Sequence, residues 1–197
     1  MNLADRLTAS RLFLSPVFFC LFMWGEAVGI PAIVVAIILV VLFVVIELSD
    51  LFDGMVARNS GTVSSFGKLF DPFADVFARI TYFVCFAWVG IMPLWILLLV
   101  LYREFGILFL RMMLAQNGIA MAARPGGKAK AVVYMTAGAL SLLYWSLPKV
   151  GLAPGSIDHL LRWIILAFYL AAALLSVASF LDYWLQFRKL LPVSTKN

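Results

Sequence analysis

The sequence predicts an all-α integral membrane protein: six transmembrane helices behind a short interfacial N-terminal helix, with both termini in the cytoplasm. Three observations predict it. Of 197 residues, 64% are hydrophobic and 13% charged, with mean hydropathy +1.04, a balance that water-soluble domains do not sustain. The apolar residues gather into six runs, about 10–25, 31–55, 70–91, 93–115, 128–148 and 160–186, and roughly 20 apolar residues as a helix cross about 30 Å of hydrocarbon. Basic residues are distributed unevenly between the connections. With a cytoplasmic amino terminus, Arg6, Arg11, Arg58, Lys68, Arg124, Lys128, Lys130, Arg188, Lys189 and Lys196 share the cytoplasmic side, and the opposite loops, near 25–30, 91–93 and 149–159, hold only Lys149. That is a positive-inside pattern, and the formal charge of +5 therefore speaks of topology and anionic headgroups.

Taken in order, residues 1–9 set Leu3 and Leu7 against Asn2, Asp5 and Arg6, which suits a segment lying along the membrane surface. The first span follows Arg6 and Arg11 as a signal peptide would, but no Ala-x-Ala-like site follows Phe22-Met23-Trp24, so an uncleaved span is expected. Pro31 opens the second span and Pro93 the fourth, where a missing amide donor does little harm. Asn59-Ser60-Gly61-Thr62, Asn117-Gly118 and Arg124-Pro125-Gly126-Gly127 read as turns. Trp24, Trp88, Trp95, Tyr144, Trp145, Tyr183 and Trp184 lie near span ends and read as interfacial belts. Cys20 and Cys85 fall inside spans without metal-ligand spacing, which points to packing. His159 lies on the opposite side and reads as a surface residue. No basic run with interleaved aromatics occurs in a soluble segment, so nucleic acid is not an expected partner. With no internal repeat or separate soluble stretch, residues 1–197 form one domain.

Charge inside the spans is where function is expected, because each buried charge at membrane depth is costly without a partner, cavity or metal. Asp50 and Asp53 are three apart, and Asp71 and Asp75 four apart, so each pair projects from one helix face. The short polar connection makes their helices antiparallel and brings both pairs to the same cytoplasmic end. Four converging carboxylates would repel and protonate unless a cation stood among them. Their hard oxygens favour Mg²⁺ or Mn²⁺, in a two-ion site able to clamp phosphate oxygens. Gly54 and Ala57 remove bulk beside them, Gly67 does so at the next helix start, and Glu47 lies one turn deeper, able to support the site or pair with an arginine.

Asp50, Asp53-Gly54, Ala57-Arg58, Gly67, Asp71 and Asp75 stand at the spacing of the signature of the CDP-alcohol phosphatidyltransferases, and the chain resembles that family at every position of it. The resemblance implies six transmembrane helices with cytoplasmic termini, homodimers, and transfer of a phosphatidyl group from a CDP-linked lipid to a small alcohol, releasing CMP. It implies that Asp50, Asp53, Asp71 and Asp75 hold the metals, that Asp75 takes the acceptor's proton, and that Asp53, Gly54, Ala57, Arg58 and Gly67 contact the CDP moiety. A cation-transporting bundle is the alternative of a different class.

For the acceptor, Arg103, Glu104 and Arg111 lie inside the fourth span on roughly one side of a helix, with Lys128 and Lys130 at the start of the fifth. A guanidinium cluster opposite a metal centre is what a phosphorylated acceptor needs. An internal ion-pair network, with Glu104 satisfying the arginines, is the competing reading. Arg103-Glu104, Arg111, Gly127-Lys128-Ala129-Lys130, Asn2, Thr8, Arg11 and Asp71-Pro72-Phe73-Ala74-Asp75 are similar to a bacterial branch of the family that uses sn-glycerol 3-phosphate and makes phosphatidylglycerophosphate in the cytoplasmic membrane. That similarity runs over residues 2–130. Two positions depart from the branch: Val76 stands where lysine is usual and Ala131 where threonine is. Arg79, one turn beyond Asp75, is the candidate replacement cation. Inositol phosphate, a free polyol, serine and choline are the alternative acceptors.

Overall fold

The computed structural model describes the backbone of residues 3–60, 67–119, 125–152 and 154–190, with side chains for all of these except 3–7, 50–60, 67–69, 71 and 125–128. Among the described residues all regular structure is helical: α1 (Leu3–Trp24), α2 (Ala32–Ser60), α3 (Gly67–Trp88), α4 (Leu94–Gln116), α5 (Pro125–Ser146) and α6 (Asp158–Leu190), with 3-10 turns at Leu147–Val150 and Gly155–Ile157. Each expected apolar run has its helix. Among the described residues, three stretches are long and apolar enough to cross a membrane by length and composition alone, Ala32–Ser49, Ala129–Val150 and Gly155–Leu190, and Thr8–Trp24 is a shorter apolar helix. The protein is membrane-integral. α3 and α4 are more charged because they carry Asp71, Asp75 and Arg79, and Arg103, Glu104 and Arg111.

The surface segment expected at residues 1–9 is not a separate element. α1 runs without a break from Leu3, and Thr8 is 0% exposed. Nothing between Leu3 and Ser10 breaks a helix, and Thr8, Arg11 and Ser15 recur on one buried face. Two stretches expected as turns are helical in the part that is described. α2 continues through Asn59 and Ser60, while Gly61 and Thr62 lie outside the described residues. α5 begins at Pro125 and takes in Gly126 and Gly127, since proline suits a first helical turn that needs no amide donor.

α1 packs on both α2 and α3, α6 packs on α4 and α5, and α3 also meets α4 and α5. Aromatic rings tie these layers together. Phe83 of α3 sits edge-on to Tyr134 of α5 and Tyr169 of α6, with centroids 5.4 and 5.8 Å away. Two glycines permit the closest approaches. A Cβ on Gly106 would lie 2.7 Å from the Phe180 ring, and one on Gly138 would lie 3.1 Å from both Phe43 and Tyr82, so small residues set the α4–α6 spacing and the α2–α3–α5 junction. At the end of the bundle away from Asp75, Lys149 pairs with Glu26 and lies 4.1 Å from the Trp145 ring. Arg162 lies at that end too, its charge answered by Asp158 at 2.9 Å. His159 is exposed, and Cys20 and Cys85 are free thiols.

Candidate active site

The last turns of α2 carry Asp50 and Asp53, and the first turns of α3 carry Asp71 and Asp75. Asp50, Asp53, Gly54, Ala57, Arg58, Gly67, Asp71 and Lys128 are placed on their helices by the described backbone, while their side chains and surroundings are not described. Asp75 is the signature carboxylate whose surroundings are described. It is 26% exposed, and Arg79 Nη1 donates to its Oδ2 at 2.8 Å from one turn away on α3. Arg11 Nη1, from α1, lies 4.0 Å from its Oδ1. The α1–α3 packing thus sets Asp75 between two buried guanidiniums while its carboxylate stays partly open, and Thr8 is buried one turn from Arg11. Arg79 does stand at Asp75, whereas Val76, the departure from the branch pattern, is buried and apolar. Beneath the aspartates the Tyr82 hydroxyl donates to Glu47 Oε1 at 2.9 Å, joining α3 to α2. Glu47 is thus buried and tied to α3, and Tyr82 is a partner that the sequence did not reveal.

Of the four cations expected to form an acceptor pocket, the three whose side chains are described divide into two kinds. Glu104 receives Arg103 Nη1 on Oε2 at 2.8 Å and Lys130 Nζ on Oε1, so two buried cations from α4 and α5 share one buried carboxylate. Arg103 Nη2 also donates to Ser179 Oγ at 2.7 Å. Lys130 lies 4.6 Å from the Tyr134 ring centroid, and the Tyr134 hydroxyl bonds Ser176. Arg111 differs. Among the described residues no carboxylate lies within ion-pair distance of it; its Nη2 donates to the Tyr183 hydroxyl at 3.2 Å, and its guanidinium lies 5.6 Å from that ring's centroid. The described contacts thus form an ion-pair network at Glu104, from which Arg111 stands apart.

Tyr183 is 2% exposed and does not belong to an interfacial belt. It was expected there because it sits near the end of the sixth span beside Trp184. The contrary signal was periodicity: Tyr169, Ala172, Ala173, Ser176, Ser179 and Tyr183 are the small or hydroxyl-bearing residues of the buried α6 face, at three- and four-residue steps. The carboxylate and cationic halves adjoin. α3 packs on α4 and α5, and Arg79 lies within electrostatic reach of Glu104 and Lys130.

A partly open carboxylate flanked by arginines thus lies at one end of a membrane bundle, beside Arg103, Lys130 and Arg111. The profile of the CDP-alcohol phosphatidyltransferase family matches residues 1–175, well past residue 130, where the motif similarity ends. The chain is 40% identical over 190 residues to the CDP-diacylglycerol–glycerol-3-phosphate 3-phosphatidyltransferase of Treponema pallidum, covering 93% of this chain and 88% of that protein. It is 32% identical over 149 residues to the Bacillus subtilis protein of the same name, covering 73% and 77%. The chain belongs to the CDP-alcohol phosphatidyltransferase family and is an enzyme, which sets aside the cation-transport reading.

Proposed function

We propose that the protein transfers the phosphatidyl group of CDP-diacylglycerol to sn-glycerol 3-phosphate, giving phosphatidylglycerophosphate and CMP. The names of its Treponema and Bacillus relatives support the reaction. The observation that carries the acceptor is the charge balance of the described cluster. Among the described residues Glu104 pairs with Arg103 and Lys130, and Arg111 has no carboxylate partner, an excess that suits a phosphomonoester dianion and would be wasted on a free polyol, serine or choline.

In this reading the acceptor hydroxyl oxygen bonds to the lipid-side phosphorus, the bond from that phosphorus to the bridging oxygen breaks, and CMP leaves. Asp75 receives the hydroxyl proton. Its partly open carboxylate gives it access to the acceptor, and Arg11 and Arg79 hold it in place. Arg58, with Asp53, Gly54, Ala57 and Gly67, would bind the CDP moiety, and Lys128 would join the acceptor side. Asp50, Asp53, Asp71 and Asp75 supply the hard oxygen donors that suit two Mg²⁺ or Mn²⁺ ions. When bound, such ions neutralise charge at the diphosphate and make CMP a better leaving group.

The same reading sets six membrane crossings in one domain, both termini and the aspartates at the cytoplasmic face of the inner membrane, and a homodimer. It rests on the alternation of the helices and on the basic residues gathered at the aspartate end. The deciding experiment measures CMP release by the purified protein in lipid nanodiscs with Mn²⁺ and CDP-diacylglycerol. Release that depends on sn-glycerol 3-phosphate is expected; release that depends instead on inositol phosphate, glycerol, serine or choline overturns the acceptor.

A further inference from the structure

We infer that Tyr183 and Ser179 of α6 are positioning residues that fix the two arginines of α4, and that Tyr183 holds Arg111 as the anion-binding cation of the acceptor site; the inference rests on the acceptor reading above. Arg103 and Arg111 are eight residues apart on α4, roughly 12 Å along its axis, and each ends in a long side chain with many rotamers. α6 supplies an anchor for each at successive turns. Ser179 Oγ accepts from Arg103 at 2.7 Å, and the Tyr183 hydroxyl accepts from Arg111 at 3.2 Å. The Tyr183 ring is near both, its centroid 5.9 Å from the Arg103 guanidinium and 5.6 Å from that of Arg111. Close packing of Gly106 on Phe180 brings α6 near enough for these contacts.

The chemistry of the two anchors differs in a way that matters. A carboxylate holds an arginine and cancels its charge, as Glu104 does for Arg103. A tyrosine holds an arginine by its ring face and oxygen and leaves the charge in place. Arg111 has only the second kind of partner among the described residues, and its buried Nε makes no hydrogen bond. It is thus oriented and half-buried, with no carboxylate beside it among the described residues, which leaves its donors available to a phosphate.

The test uses the full chain in nanodiscs and compares Tyr183→Phe, which removes one hydroxyl, with Tyr183→Leu, which removes the ring. KM for sn-glycerol 3-phosphate should rise about tenfold in Tyr183→Phe, the scale of a hydrogen bond to a charged group, and further in Tyr183→Leu. The KM for CDP-diacylglycerol and the kcat at saturating acceptor should hold. In an Arg111→Ala background Tyr183→Phe should add nothing; an unchanged acceptor KM, or an equal added effect in that background, overturns the inference. A second measurement needs no turnover. Phenylglyoxal labelling of Arg111, read by mass spectrometry, should be blocked by inorganic phosphate in the native protein and require about tenfold more phosphate in Tyr183→Phe; equal protection overturns the inference. If the native protein shows no glycerol 3-phosphate-dependent CMP release, the proposed function falls while phosphate protection still decides the role of Tyr183.

Discussion

Replacing Glu104 with glutamine keeps the shape of the side chain and removes the one charge that Arg103 and Lys130 share. In the native protein both cations reach it, Arg103 at 2.8 Å, and all three side chains are less than a tenth exposed. Without it two buried cations face each other uncompensated, and breaking a buried ion pair from one side costs about 3–5 kcal/mol. For a chain of this size that corresponds to a fall in Tm on the order of 10 °C. Thermal unfolding in detergent, followed by circular dichroism, measures it. The double variant Glu104→Gln with Lys130→Met should recover part of the loss, because it restores the cluster's native net charge. Lys130→Met alone should cost less than Glu104→Gln, since Arg103 keeps its carboxylate. A Glu104→Gln protein within about 0.5 kcal/mol of native, the range of ordinary surface substitutions, or a double variant no more stable than the single, would refute the argument that Glu104 frames the cluster.

Three further outcomes are expected. Asp75→Asn should lower kcat by about 10²–10⁴-fold, the usual worth of a general base, with CDP-diacylglycerol still bound; turnover near native would deny Asp75 that role. Chelation by EDTA should abolish CMP release and added Mn²⁺ or Mg²⁺ should restore it, whereas activity that survives complete chelation rules out the aspartates as a metal site. Gly106→Ala should destabilise by about 1–3 kcal/mol through overpacking against Phe180, partly relieved by Phe180→Leu; a neutral change in melting temperature would contradict the close α4–α6 approach.

The sequence foretold the helices well because apolar runs and prolines at their starts are local signals. It placed the ends within a few residues, failing where a helix continued through residues read as surface or turn, as at Leu3–Ser10 and at Pro125. The proximity of Arg11 and Arg79 to Asp75 was partly legible: Arg79 is one helical turn away, while Arg11 depends on α1 packing against α3, a tertiary fact. Glu104 was visible as a candidate partner of the arginines, but its capture of Lys130, twenty-six residues away, was not. The hydroxyls of α6 were missed because serine and tyrosine in an apolar span carry no charge to mark them, and proximity to a span end suggested a belt. Their three- and four-residue spacing held the information, but the interacting arginines lie on another helix.

The ion pairs of α3 and α4 bear on how the chain enters the bilayer. A lone Asp or Arg at the centre of a helix raises the cost of insertion by about 2.5–3.5 kcal/mol, which would burden α3 and α4 as each left the ribosome. Asp75 and Arg79 are neighbours on one helix, and so are Arg103 and Glu104, so in each segment the counter-ion emerges with the ion. Each of these two pairs can enter lipid already neutralised, before the segments that complete the bundle have been synthesised, whereas Arg111 of α4 meets Tyr183 only once α6 is in place.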